Sequence, residues 1–362
     1  MSSKIATILG VTGALLGSSP ASSAQALSRE DFRVFTSDGV GIYVREIRPS
    51  SPRHLEPLIL VHGARVPGIA SFDLEVPNGS LGADLAIRTG RVVFIMDARG
   101  YGASERPEAM NRPAGESRPL SRAFEVVRDI DAVVQASLKR TGAEKVALLG
   151  WATGGMWAAY YASLWPERVN HLVTLNALYG GSNVHRVLGV GSPNADPTKP
   201  DRFKQGAGGY ALYDAASLWP SWDGTIPVAD KSVWRSPEVA AAYARAAVAS
   251  DPESERHQPP AFRAPLGAIE DSFYQATGRR LFDSCGITAN VLIIRSEHDF
   301  WSRPEDAESL AHDAANARTV RIITLPNATH YVHLDRPERG RDTILQEVDA
   351  FLDGNSRAPA GN

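Results

Sequence analysis

One turn constrains this chain more than any other feature. An apolar run ending in Val146-Ala147-Leu148-Leu149 meets Gly150-Trp151-Ala152-Thr153-Gly154-Gly155, and a helix-forming stretch follows from Met156 to Ala162. A short apolar run without polar alternation is the pattern of a strand buried on both faces. A strand that passes directly into a helix must turn about one residue. A Cβ two residues before or after that apex would strike neighbouring backbone. Gly150 and Gly154 meet this demand, and the apex falls on Ala152.

Further continuous apolar runs lie at 58–62, 92–96, 171–176, 290–295 and 319–325. Between them, Arg122 to Arg140 places Phe124, Val127, Ile130, Val134 and Leu138 at helix-like spacing. Strand–helix alternation of this kind predicts a doubly wound α/β sheet, mostly parallel, with right-handed crossovers. Residues 27–57 read differently. Phe32-Arg33-Val34-Phe35 and Gly41 to Ile47 flank a Ser37-Asp38-Gly39 turn, the pattern of an antiparallel opening hairpin.

The landmarks fall in a known order. Leu58-Ile59-Leu60-Val61-His62-Gly63, then Phe94 to Ser104 with Asp97, Arg99, Gly100 and Gly102, then the Gly150–Gly154 turn, then Val291 to Asp299, then Val320 to His330. From Leu58 to about Leu352 this resembles the α/β-hydrolase superfamily, whose nucleophile turn reads Gly-x-Ser-x-Gly. The departure is Ala152 in the serine's place. The resemblance implies Asp299 as the acid and His330 as the base, with Glu297 as an alternative acid. It also implies an oxyanion hole from the N–H groups of Thr153 and Ala64, with Arg65 second to Ala64. His62 is expected to hold its loop, and Asp97 and Arg99 to form a structural hydrogen-bonded loop. Arg65, Trp151, Trp301 and Trp219 are expected at the substrate, together with Phe300. Thr153 as a shifted nucleophile is rejected, because Trp151 would then occupy a position that requires glycine.

Between Leu178 and about Gly286 the alternation stops, and the segment carries ten aromatic residues spread from Phe203 to Tyr274. Its place between two core strands implies an inserted helical cap closing over the turn. The expected organisation is therefore a leader over 1–26, core over 27–177, helical cap over 178–286, core over 287–354 and a flexible tail over 355–362.

The leader follows from charge. Lys4 is the only charged residue among the first 28, Ile5 to Leu16 is mostly apolar, and Ala24-Gln25-Ala26 forms an Ala-x-Ala site. This reads as a secretory signal peptide, and export to the periplasm or exterior is expected. Net charge is −3, and no long basic run is present, so nucleic acid is not an expected partner. No membrane span, no metal and no cofactor is expected. His330 and His333 stand three apart, but no further ligands complete a site. The single Cys285 cannot close an internal disulfide.

Two readings of Ala152 stay open. In the first, the chain is a serine-type carboxylic ester hydrolase of a small apolar or aromatic ester- or lactone-like substrate, with its nucleophile replaced by alanine. This reading accounts for the complete acid–base pair. In the second, the alanine is native, and the protein binds a ligand or uses His330 as a general base in a lyase or cyclase reaction.

Overall fold

The computed structural model describes residues 26–354; the expected leader, but for its last residue, and the expected tail lie outside them. In chain order the strands are β1 (Leu27–Phe35), β2 (Gly41–Pro49), β3 (Leu58–Val61), β4 (Val93–Met96), β5 (Val146–Trp151), β6 (Val169–Leu175), β7 (Tyr210–Asp214), β8 (Ala261–Pro265), β9 (Asn290–His298) and β10 (Thr319–Thr329). The helices are α1 (Gly68–Phe72), α2 (Leu81–Thr89), α3 (Ala123–Thr141), α4 (Thr153–Leu164), α5 (Trp219–Asp223), α6 (Pro237–Ala249), α7 (Gly267–Ala276), α8 (Pro304–Asp313) and α9 (Arg341–Leu352).

Eight strands form one sheet in the order β1-β2-β4-β3-β5-β6-β9-β10. β1, β2 and β4 pair antiparallel, the expected hairpin against the core, and every pair from β4 to β10 is parallel. The inner strands are buried throughout. Leu58 to Val61, Val93 to Met96 and Val146 to Leu149 are at most 2% exposed, which is why their sequences do not alternate.

The chain leaves β3 toward β4 on one side of the sheet, and leaves β5 toward β6 on the other. Right-handed crossovers therefore set the intervening helices on opposite faces. β3 and β5 are neighbours at that reversal, so their C-terminal loops open side by side at a topological switch point.

Two expectations need amendment. In α3 the buried stripe runs through Val126, Val127, Ile130, Val133, Val134 and Ser137, while Phe124 is 54% exposed. At ~100° per residue, Phe124 falls roughly 60° beyond Val127, outside that stripe. The segment between β6 and β9 is not purely helical either. It carries α5, α6 and α7, but also a two-stranded antiparallel ribbon of β7 and β8 and a long irregular stretch before β7. Among the described residues, no helix is long and apolar enough to cross a membrane.

Candidate active site

The turn after β5 has the geometry its sequence requires. Ala152 sits at φ 52° and ψ −120°, a region that non-glycine residues avoid and that costs about 1–3 kcal/mol. A Cβ on Gly150 would lie 2.1 Å from the carbonyl oxygen of Gly154, and one on Gly154 would lie 2.2 Å from that of Val61. Only glycine fits either place. The apex is Ala152 and not Thr153, which begins α4.

The loop after β9 brings in Asp299, and the residue after β10 is His330. Nδ1 of His330 lies 2.6 Å from Oδ1 of Asp299. The same carboxylate accepts the backbone N–H groups of Trp301 (2.9 Å) and Ser302 (2.8 Å) and the hydroxyl of Ser302. These donors fix the carboxylate, and the carboxylate orients the imidazole so that Nε2 carries the free lone pair. Nε2 meets no protein partner among the described residues. The backbone carbonyl of His330 is held as well, by Nε1 of Trp151 (3.0 Å) and Nδ2 of Asn176 (3.2 Å).

Ala152, His330, Thr153 and Ala64 line one cavity of about 50 Å³, room for roughly one or two waters. The backbone N–H groups of Thr153, at the N-terminus of α4, and of Ala64, after β3, donate to no other protein group among the described residues. Two N–H groups without a protein partner, on residues that line one cavity and one of them at a helix N-terminus, are suited to an anionic oxygen. The remaining lining is Arg65, Val66, Trp151, Tyr243, Ile269, Phe300, Trp301, Tyr331 and Gly63.

His62 is fully buried beneath this cavity. Its Nδ1 donates to the Gly63 carbonyl (2.7 Å) and its Nε2 accepts the Ala98 N–H (3.0 Å). Burial pushes it down to about 4, so it stays neutral and holds the turn after β3 in place. Asp97 accepts the N–H groups of Gly68 and Ala103, and burial pushes it up to about 6. Arg99 pairs with Asp129 and Asp38. Both residues brace loops, each with partners of its own.

A family model described as alpha/beta hydrolase fold matches residues 56–337. The chain belongs to the α/β-hydrolase family. Human lipase member M is 28% identical over 146 residues, 38% of this chain and 33% of that protein, so the chain matches about a third of this relative's length. Among solved structures, a serine-to-alanine mutant of a meta-cleavage product hydrolase from Pseudomonas fluorescens IP01, complexed with acetates, is 17% identical. It aligns over 90% of this chain and 98% of its own, with a TM-score of 0.57. A thermophilic esterase from Thermogutta terrifontis is 15% identical, covers 90% and 98% and scores 0.54. At such identities the structural likeness concerns the fold.

Within this α/β-hydrolase, Ala64, Arg65, Trp151, Ala152, Thr153, Trp301 and His330 meet at the cavity, with Asp299 directly behind the imidazole. Trp219 does not. It lies in α5 under the guanidinium of Arg235, 4.8 Å from its ring centre, and is absent from the cavity lining. Glu297 is exposed and accepts the N–H of Asn327, away from the imidazole. Sequence reasoning missed Tyr331, Tyr243, Ile269 and Asn176. For Asn176 a signal exists: an asparagine at a strand's end is a frequent carrier of positive φ, here 53°. Among the described residues, no cluster of three or more His, Cys, Asp or Glu could hold a metal ion.

Proposed function

We propose that this site is built for acyl transfer to a small apolar or aromatic ester- or lactone-like compound, and is held at the binding stage by the methyl group of Ala152. The observation that carries this reading is the His330–Asp299 pair lining the same cavity as a strained, non-glycine apex. The strain keeps a Cβ aimed where a serine would carry its oxygen. The lipase and the esterase named above support an ester as the bond.

With a serine at the apex, Oγ attacks the acyl carbon and its proton passes to Nε2 of His330. The new C–O bond leaves an oxyanion between the N–H groups of Thr153 and Ala64. Collapse of that intermediate breaks the bond to the alcohol, which takes the proton from His330. Water then repeats both steps and releases the acid. Asp299 stabilises the imidazolium throughout. With alanine the first bond cannot form. The base and the oxyanion donors persist, and their residual effect is roughly 10³–10⁴-fold over water.

The test is Ala152→Ser, assayed on short-chain p-nitrophenyl esters and on lactones. A gain of about 10⁴ to 10⁶ in kcat is expected. No gain in a folded variant sinks the proposal. It would promote the second reading, favoured by Ala152 itself, in which His330 serves as a general base for a lyase or cyclase step or the site only binds. Ligand binding that His330→Ala leaves unchanged supports the binding role.

A further inference from the structure

Arg65 is the residue the mechanism above leaves unused. It follows Ala64 on the oxyanion turn, is partly buried and lines the cavity with Ala152 and His330. Its Nη2 donates to the hydroxyls of Ser221 and Tyr331, both at 2.9 Å, and its Nη1 reaches the Ser217 carbonyl at 3.4 Å. The Tyr213 ring lies 5.6 Å from its central carbon. Every one of these partners is neutral. Among the described residues, no carboxylate stands within 4.0 Å of its guanidinium.

Among the described residues the four most deeply buried arginines each hold a carboxylate, although half-buried Arg295, like Arg65, has none. Arg91 pairs with Asp353 at 2.9 Å, Arg99 with Asp129 at 2.7 Å, Arg263 with Asp251 at 2.7 Å and Arg341 with Asp84 at 2.6 Å. A cation drawn out of water needs a counter-charge, because neutral hydroxyls replace only part of its hydration. The cavity lining supplies none. It holds one permanent cation, one histidine and no carboxylate, and the nearby Asp299 is committed to His330, Trp301 and Ser302.

We infer that the substrate brings the missing charge: an acyl compound with a small apolar body and a carboxylate that docks on Arg65. The hydroxyls of Tyr331 and Ser221 take both hydrogens of Nη2, and a carboxylate accepts a charge-assisted N–H from Nη1 or Nε. The carboxylate end is thereby set against the oxyanion turn, and the apolar body faces Val66, Ile269 and Phe300. This inference rests on the hydrolase reading for its choice of an acyl compound, and on Arg65 alone for the charge.

The experiment uses the chain with Ala152 and two anilides of nearly equal shape, succinanilic acid and butyranilide, titrated by calorimetry. The anionic ligand is expected to bind at least about tenfold tighter, with a preference that shrinks as salt is raised. Arg65→Gln should abolish the preference and Arg65→Lys should keep part of it, with thermal melts to establish that both fold. Equal affinity for the two anilides, or no binding of the acid at millimolar concentration, overturns the inference. The hydrolase reading is judged separately, by Ala152→Ser on p-nitrophenyl butyrate, a neutral ester. That variant's ratio of kcat/KM for p-nitrophenyl hemisuccinate over the butyrate should repeat the preference.

Discussion

Oδ1 of Asp299 and Nδ1 of His330 stand 2.6 Å apart, while Trp151 and Asn176 grip the backbone carbonyl of the same histidine from the other side. His330 is fixed at its ring and at its main chain by residues from three different strand ends. Such double anchoring keeps Nε2 directed into the cavity without help from a ligand.

Replacing Asp299 with Asn in the Ala152→Ser background should leave the fold intact and lower kcat by about 10⁴. The amide cannot enforce the required tautomer or neutralise an imidazolium. Steady-state kinetics beside a thermal melt would check this; a loss below tenfold would mean Asp299 is not the acid.

Trp151→Phe removes one neutral donor from the His330 carbonyl while keeping most of the ring. A loss of about 1 kcal/mol in the positioning of the base is expected, roughly five- to tenfold in the kcat of the Ala152→Ser protein. The pH profile of that protein should keep its shape, because the His330–Asp299 contact is untouched.

Gly150→Ala should be among the most damaging single changes. The added methyl meets a backbone oxygen at 2.1 Å, and neither partner can rotate away. A destabilisation of at least about 3 kcal/mol, or failure to fold, is expected in urea unfolding. A variant within 1 kcal/mol of the parent would show that the turn relaxes freely.

Asp335 yields a pH prediction. It is buried, accepts the Trp222 indole N–H at 2.8 Å and the Thr329 hydroxyl, and burial pushes it up to about 7. In the unfolded chain an aspartate titrates near ~3.9. The folded state therefore holds the extra proton between these values. The group's contribution is fully present below about pH 4 and is lost as pH rises through 7, by up to ~4 kcal/mol. Asp335→Asn mimics the protonated form. Its unfolding free energy relative to the parent should improve by a few kcal/mol between pH 4 and 8, and a constant difference would refute the assignment.

What the sequence made legible is what sterics or chain order dictates. Gly150 and Gly154 announce the turn because no other residue fits, and Asp299 and His330 follow strands whose apolar runs end just before them. Side chains in the segment between β6 and β9 were another matter. Trp219 and Tyr243 are both aromatic residues there, yet only Tyr243 reaches the cavity, while Trp219 stacks under Arg235. That choice depends on how an irregular chain folds back over the sheet, and periodicity carries no record of it. Phe124 failed for a milder reason: a helical stripe has edges, and apolar identity alone does not say on which side of one a residue falls.

Alanine and serine differ by a single oxygen atom, and the apex keeps the Cβ from which that atom would hang. On the proposed acyl-transfer reading, a substrate that enters this pocket meets the acid–base pair and the N–H donors, but no nucleophile at the apex. Its residence is then set by dissociation rather than by turnover. The chain is consequently its own bait: whatever acyl compound it draws from a complex mixture should come away whole, ready to be weighed by mass spectrometry.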